Sequence, residues 1–371
     1  MKKILYFLAA MIILILGCGK SAQEYYDQGH AKILDGDNKG AIVDFNKAIE
    51  IDKKYVDAYI NRGIAKNGIE DYKGAEDDYT IALKNDTNSY IAYFNRGHIK
   101  EKLQDYDGAI FDYTKAIEIL PKDEMSYVSR AGLKSLFKDY RGEIADLNKI
   151  IEINPNKVGI YYVRGRAKFL VNDYVESIVD FTTAIKIDPK NADAYTNRGL
   201  AKFSLGDYYG AIDDHSKAIE IDPTKADSYF NRGNAKYLLN DYAGTIADNS
   251  NAIEIDPKNA DAYFVRGHVK FDIKDYRGAI SDITRSIEIS PKRPGAHFFR
   301  GLAKYCLKDY NGAISDLSMA IEIDPKLADA YYNRGIAEFM IGQKDNGCLD
   351  LSKSGELGKT EAYDIIKQYC Q

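Results

Sequence analysis

The sequence of 371 residues contains no tryptophan, four cysteines, five histidines and eight prolines. Four cysteines cannot staple a chain of this length, which excludes a disulfide-built scaffold. His30, His98, His215, His268 and His297 stand at least 29 residues apart, and no Cys-x-x-Cys or His-x-x-x-His pair occurs. The common zinc spacings are therefore missing. A phosphate loop is missing too, because the 29 glycines are dispersed along the chain. Positive charge is in deficit, with a formal net charge of −5. Without a basic stripe, nucleic acid is not expected as a partner. What remains is 45% hydrophobic and 29% charged, with 30 tyrosines. That is enough apolar material for a core, and it is not the composition of a disordered polyelectrolyte.

The N-terminus differs from the rest. Met1-Lys2-Lys3 is followed by an apolar run of 13 residues, Ile4 to Leu16. This is short for a spanning helix of about 20 residues but fits the apolar region of a secretory signal. Its end, Leu14-Ile15-Leu16-Gly17-Cys18, resembles the bacterial lipobox, with Leu16 bulkier than usual. The resemblance implies a signal peptide over 1–17 and a lipidated Cys18 opening a short linker, 18–21. Several acyl chains anchor a protein stably. It also implies a place in the bacterial cell envelope, at the outer membrane or the periplasmic face. An ordinary signal peptide with an incidental Cys18 is the alternative.

From Ala22 onward the chain repeats every 34 residues without insertion or deletion. Arg-Gly recurs at Arg62-Gly63, Arg96-Gly97, Arg164-Gly165, Arg198-Gly199, Arg232-Gly233, Arg266-Gly267, Arg300-Gly301 and Arg334-Gly335, and Arg130-Ala131 fills the gap. Ten units result, 22–55, 56–89 and so on to 328–361, followed by a tail over 362–371. Such a fixed period indicates a solenoid. In 192–225, Ala192 to Leu205 reads as one helix, Gly206-Asp207 as a turn with Asp207 capping, and Tyr208 to Ile221 as a second helix ended by Asp222-Pro223.

These residues resemble the tetratricopeptide repeat family. Numbering Ala22 as place one, place four holds an aromatic (Tyr25, Tyr59, Tyr93 and their equivalents), place twenty-seven an alanine such as Ala48 or Ala218, and place thirty-two a proline such as Pro121 or Pro223. The resemblance implies an all-α, right-handed α-solenoid of ten helix-turn-helix units with a C-terminal capping helix. It also implies a protein or extended-peptide partner, no cofactor and no catalytic or metal residues. The chain is expected to act as a monomer.

Two departures from the family pattern are systematic. Place seven is arginine in nine units, and place twenty-three is aspartate in all ten, from Asp44 to Asp350. A structural ion-pair ladder is expected between them, with ligand binding by the arginines as the alternative. Unit 124–157, with Ala131, Glu143 and Ile150 at the small-residue places, reads either as drift with compensating packing or as a soft joint.

By the same resemblance, first-helix places two, five, six, nine and twelve line a concave groove. Place five supplies Phe94, Tyr162, Phe230, Phe264, Phe298 and Tyr332, rigid anchors for apolar side chains of a partner. Place six supplies Asn61, Asn95, Asn197, Asn231 and Asn333, whose amides both donate and accept along an extended backbone. Arg166 is the basic candidate at place nine. Place-twelve aromatics from Phe169 to Phe339 either join the groove or pack between helices. Asp193, Asp227, Asp261 and Asp329 at place two favour a neutral or basic ligand. No lysine stands at place five, so a carboxylate clamp is not evident.

At the C-terminus, Cys348 and Cys370 flank a turn near Leu357–Glu361 at equal distances. An antiparallel helix pair brings them to matching heights, so they form a candidate disulfide, with two free thiols as the alternative. The expectation is a non-enzymatic, membrane-anchored scaffold that binds a protein or peptide in its groove. The alternatives are an envelope spacer or assembly lipoprotein acting through its convex face and ends, and a cell-wall carbohydrate-binding protein.

Overall fold

The computed structural model describes residues 20–157 and 159–370; the signal segment and Cys18 lie outside the described residues. Their local structure follows from two alternating turns. In the first, an aspartate at place sixteen caps the second helix, as where Asp37 Oδ1 accepts from Gly40 N–H at 2.9 Å and Asp71 Oδ1 from Gly74 N–H at 3.0 Å. Glycine fits closely there, since a Cβ on Gly74 would stand 2.2 Å from Asp71 Oδ2, although Glu176 makes the same cap bond to Asp173 at a longer 3.4 Å. The residue before the aspartate takes a left-handed conformation. It is glycine at Gly36 and Gly206, and at Gly342 before Gln343, but Glu70, Gln104, Lys138, Asn240, Lys274 and Lys308 hold the same position with φ of 60–66°. In the second turn the side chain of an aspartate folds back on the backbone, as where Asp222 Oδ1 accepts from Thr224 N–H at 3.0 Å.

The result is all-helical: 21 helices and no strand among the described residues. In the first compact unit, which ends at Val171, four hairpins pair α1 (Ala22–Leu34) with α2 (Asn38–Ile51), α3 (Val56–Gly68) with α4 (Tyr72–Asn85), α5 (Tyr90–Lys102) with α6 (Tyr106–Ile119) and α7 (Glu124–Leu136) with α8 (Tyr140–Ile153); α9 (Ile160–Leu170) follows. The second unit begins at Asn172 with α10 (Tyr174–Ile187). It continues as α11 (Ala192–Ser204) with α12 (Tyr208–Ile221), α13 (Ala226–Leu238) with α14 (Tyr242–Ile255), and α15 (Ala260–Asp272) with α16 (Tyr276–Ile289). The hairpin of α17 (Pro294–Cys306) with α18 (Tyr310–Ile323) and that of α19 (Ala328–Met340) with α20 (Lys344–Glu356) come next, and α21 (Glu361–Tyr369) packs on α20.

Within a hairpin, one side chain of the second helix fills the space left by the place-eight glycine. A Cβ on Gly63 would lie 2.7 Å from the Tyr79 ring, and one on Gly267 2.7 Å from Ile283. Phe45, Tyr79, Tyr113, His215, Asn249, Ile283 and Leu317 all occupy this place and are fully buried. Where Ala131 replaces the glycine, the facing residue is Leu147, and Ile117, Tyr127, Ile150 and Ile160 close the core around it. Unit 124–157 thus keeps a closed core around Ala131 and Leu147. Its odd residue, Glu143, is buried, and that burial raises its pKa against the opposing pull of Ser135 and Arg166.

Candidate partner-binding surface

The place-seven arginines are committed to structure. Arg62, Arg96, Arg130, Arg198, Arg232, Arg266, Arg300 and Arg334 each donate through Nε and Nη2 to both oxygens of the aspartate 16 residues on. In the Arg198–Asp214 pair the distances are 2.9 and 2.6 Å. The remaining nitrogen, Nη1, reaches the hairpin before: Arg96 donates to Thr80 Oγ1 at 3.2 Å and Arg232 to Ser216 Oγ at 3.0 Å. The guanidinium also lies over the place-four ring, 5.5 Å from the Tyr195 centroid for Arg198. Each arginine thereby brackets two helices of its own hairpin and one of its neighbour, which accounts for the expected ladder and leaves none of these eight free for a ligand.

A third member completes the bracket. The place-eleven lysine approaches the same aspartate, as Lys202 Nζ does at 2.8 Å from Asp214 Oδ2 and Lys304 Nζ at 2.8 Å from Asp316 Oδ2. For Asp316, burial opposes the charge, but Arg300 and Lys304 outweigh it and hold the carboxyl below the usual range. The place-four tyrosine also has a task for its hydroxyl: Tyr161 donates to the Pro155 carbonyl at 3.0 Å, and His297 Nε2 stands 3.0 Å from that of Pro291.

The expected groove residues divide. Phe94 is half-buried, its ring 5.7 Å from that of Tyr113 in its own hairpin, and Tyr162 is half-buried on α9. Phe230 packs with Tyr229 and Tyr263 on Ala252, Ile253 and Ala262. Tyr332 lies under the Lys359 ammonium, 4.8 Å from it. Among the asparagines, Asn61 donates to Tyr26 Oη at 3.0 Å and to the Asp57 carbonyl at 2.9 Å. Asn197 and Asn333 likewise turn back to the carbonyls of Asp193 and Asp329. Asn95 and Asn231 are half-buried and make no side-chain hydrogen bond among the described residues. Arg166 is exposed.

The place-twelve rings belong to the turns. Phe203, Phe271 and Tyr305 meet Tyr208, Tyr276 and Tyr310 at 5.4–5.5 Å, each pair clasping one hairpin. The place-two acids are largely neutralised. Asp193 pairs with Lys225 at 2.7 Å, Asp261 with Arg293 and Asp329 with Lys359. This corrects the expectation of an acidic lining, because three of its four members already have cations.

One cluster was not apparent in the sequence. Phe299 stands at place six, where half of the units have asparagine, and its ring lies 4.1 Å from that of His268. Phe264, Phe271 and Phe298 surround Phe299 at 5.3–6.0 Å, while Tyr237 approaches His268 at 5.7 Å. The Arg293 guanidinium covers Phe264 at 4.4 Å. His268 is half-buried among these rings, and that burial lowers its pKa. The signal available in the sequence was the replacement of asparagine by Phe299.

Cys348 and Cys370 are joined as a disulfide, with Cα atoms 5.8 Å apart, and Cys306 is free and exposed. Among the described residues no helix is long and apolar enough to cross a membrane, and no group of three or more His, Cys, Asp or Glu converges as a metal site.

Tetratricopeptide repeat models match residues 90–123 and 260–293, and a TPR repeat model matches 23–68, 165–206, 199–240 and 301–342. No curated protein matches significantly. Among solved structures, Naa15/Naa10 bound to HypK-THB superposes with a TM-score of 0.54 at 14% identity, over 92% of this chain and 64% of that one. YrrB, described as a TPR protein with an unusual peptide-binding site, gives 0.47 at 23% identity over 50% and 97% of the two chains. A tetratricopeptide repeat protein from Parabacteroides merdae gives 0.44 at 20% identity over 68% and 99%. At these identities the likeness is one of fold. The family matches together span more than half of the sequence, on units whose hairpins, glycine contacts and capped turns have just been described, and the chain belongs to the tetratricopeptide repeat family.

Proposed function

We propose that this chain is a non-enzymatic scaffold that binds an extended polypeptide along its first helices, tethered to a membrane by lipid on Cys18. The observation that carries the reading is the division of labour among conspicuous side chains. The place-seven arginines, most place-two acids and place-twelve rings such as Phe203 and Tyr305 are consumed by the fold, whereas in the second unit Phe264, His268, Phe298 and Phe299 on α15 and α17 keep partly exposed surface and the Asn231 amide keeps unspent hydrogen-bonding capacity. Aromatic rings held rigidly beside a guanidinium lose little entropy on binding and serve as anchors for apolar side chains. The backbone of the bound segment then pairs with the Asn231 amide.

The envelope placement rests on the lipobox-like segment ending at Cys18. Crosslinking followed by affinity purification, comparing the native chain with Phe264→Ala/Phe299→Ala, tests the binding face: loss of the major partner is expected, and an unchanged partner set refutes it. Cys18→Ser is expected to abolish acylation and release the protein from membrane. Unaltered fractionation refutes the tether.

A further inference from the structure

In eight described hairpins the place-eleven lysine puts its ammonium 2.6–2.9 Å from the place-twenty-three carboxylate. In four of them the same ammonium also reaches the carbonyl of place nineteen, 3.2–3.5 Å from Gly40, Gly74, Gly142 and Gly210. The point between that carboxylate and that carbonyl is thus a conserved feature of the hairpin geometry, and in each of these cases it holds a positive charge.

The tenth hairpin keeps the frame and reverses the charge. Arg334 donates to Asp350 at 2.6 and 2.8 Å and to Ser318 at 2.9 Å, as its siblings do. Place eleven, however, is Glu338 and place nineteen is Asn346. Glu338 is 7% exposed, and its Oε2 is buried without a hydrogen-bond partner. Asp350 Oδ2, which in the sibling hairpins accepts from both arginine and lysine, here accepts from Arg334 Nε.

We infer that the tenth hairpin binds one calcium ion at the position its siblings give to the lysine ammonium, with Glu338, Asp350 and the Asn346 carbonyl as the protein oxygens. The donor set is all oxygen, which selects a hard cation, and calcium accepts irregular geometry completed by water. Charge selects the divalent ion. Lysine, arginine and aspartate sum to +1 in a sibling hairpin, whereas Glu338, Arg334 and Asp350 sum to −1. A divalent ion restores the sibling value, and a monovalent one does not. The electrostatics of the carboxylate agree: burial and the nearby Asp350 raise Glu338 to about 7, with Arg334 pulling the other way. Three protein ligands place the affinity in the weak class, with Kd of about 10⁻⁴–10⁻³ M.

The test uses the full chain at pH 8, where Glu338 is ionised, freed of metal and titrated with calcium, magnesium or potassium chloride at constant ionic strength. Calorimetry is expected to show calcium binding in that range, with a rise in the urea midpoint and slower amide exchange in α20. Glu338→Lys rebuilds the sibling bracket, so this variant folds. It is expected to be as stable without calcium as the native chain is when saturated, and to show no calcium response. Absence of calcium binding by the native chain at pH 8 overturns the proposal and leaves a protonated Glu338 as the neutralising device. An equal calcium response in Glu338→Lys overturns it as well, because the ion then binds elsewhere.

Discussion

Replacing Asp214 by alanine removes one rung of the ladder and leaves two cations facing each other. Asp214 is 3% exposed and accepts from Arg198 Nε, Arg198 Nη2 and Lys202 Nζ at 2.9, 2.6 and 2.8 Å. Losing one partner of a buried ion pair costs about 3–5 kcal/mol, chiefly because the other charge stays desolvated. The Arg198 and Lys202 side chains retain 16% and 22% exposure and can turn partly to water. The expected loss therefore lies near the lower bound, about 3 kcal/mol. Asp214→Asn preserves the shape and one acceptor, and should lose less. Salt should change little, because the bracket is shielded from the ions that screen surface pairs. Urea unfolding of the full chain gives the overall loss, and hydrogen exchange locates it. In an array stabilised between neighbours, α11, α12 and the adjoining α13 should open first. A change under about half a kcal/mol, the level of a solvated surface pair, would refute the reasoning.

Three further outcomes are expected. Burial lowers His215 from 6.5 to about 4, with Asp214 and Asp248 opposing and Arg232 assisting. Between those values the unfolded chain binds more protons, so stability falls as pH drops from 6.5 to 4, by about 3 kcal/mol in total. His215→Phe, which installs the residue found at the same place as Phe45, should remove that component; an unaltered pH profile would count against it. Gly63→Ala drives a methyl group into Tyr79 and should cost roughly 1–3 kcal/mol. Adding Tyr79→Leu, which copies the Ala131–Leu147 pair, should recover part of the loss, and strict additivity in the double-mutant cycle would argue against the contact. Cys348→Ser with Cys370→Ser opens a loop with a sequence separation of 22 residues and should loosen α21 by about 3 kcal/mol in the chain-entropy model. Unchanged exchange in α21 would show that the helix holds by packing alone.

The period of 34 residues made the helices legible, because Asp207 before Tyr208 and Asp222-Pro223 are local signals acting within one turn of chain. The arginine–aspartate ladder was legible for a related reason: residues 16 apart across a short hairpin turn have few other places to meet. The bracket lysines and the polar side chains taken from the preceding hairpin were not legible, since nothing in their spacing distinguishes a paired polar side chain from a solvated one.

The sequence alone determined that each place of the unit carries one kind of residue and that the chain is a run of helical hairpins, because helix starts, stops and apolar periodicity are short-range properties. Only the tertiary structure decided what those residues do. Phe271 clasps its own turn while Phe299 gathers His268 and Phe264 from the neighbouring first helix, and Asp261 is neutralised by Arg293 while Asn231 stays open. Side-chain direction and the identity of the nearest charge depend on packing between hairpins. The period is blind to this, because it assigns every copy the same position and leaves its surroundings to be set by the copies on either side.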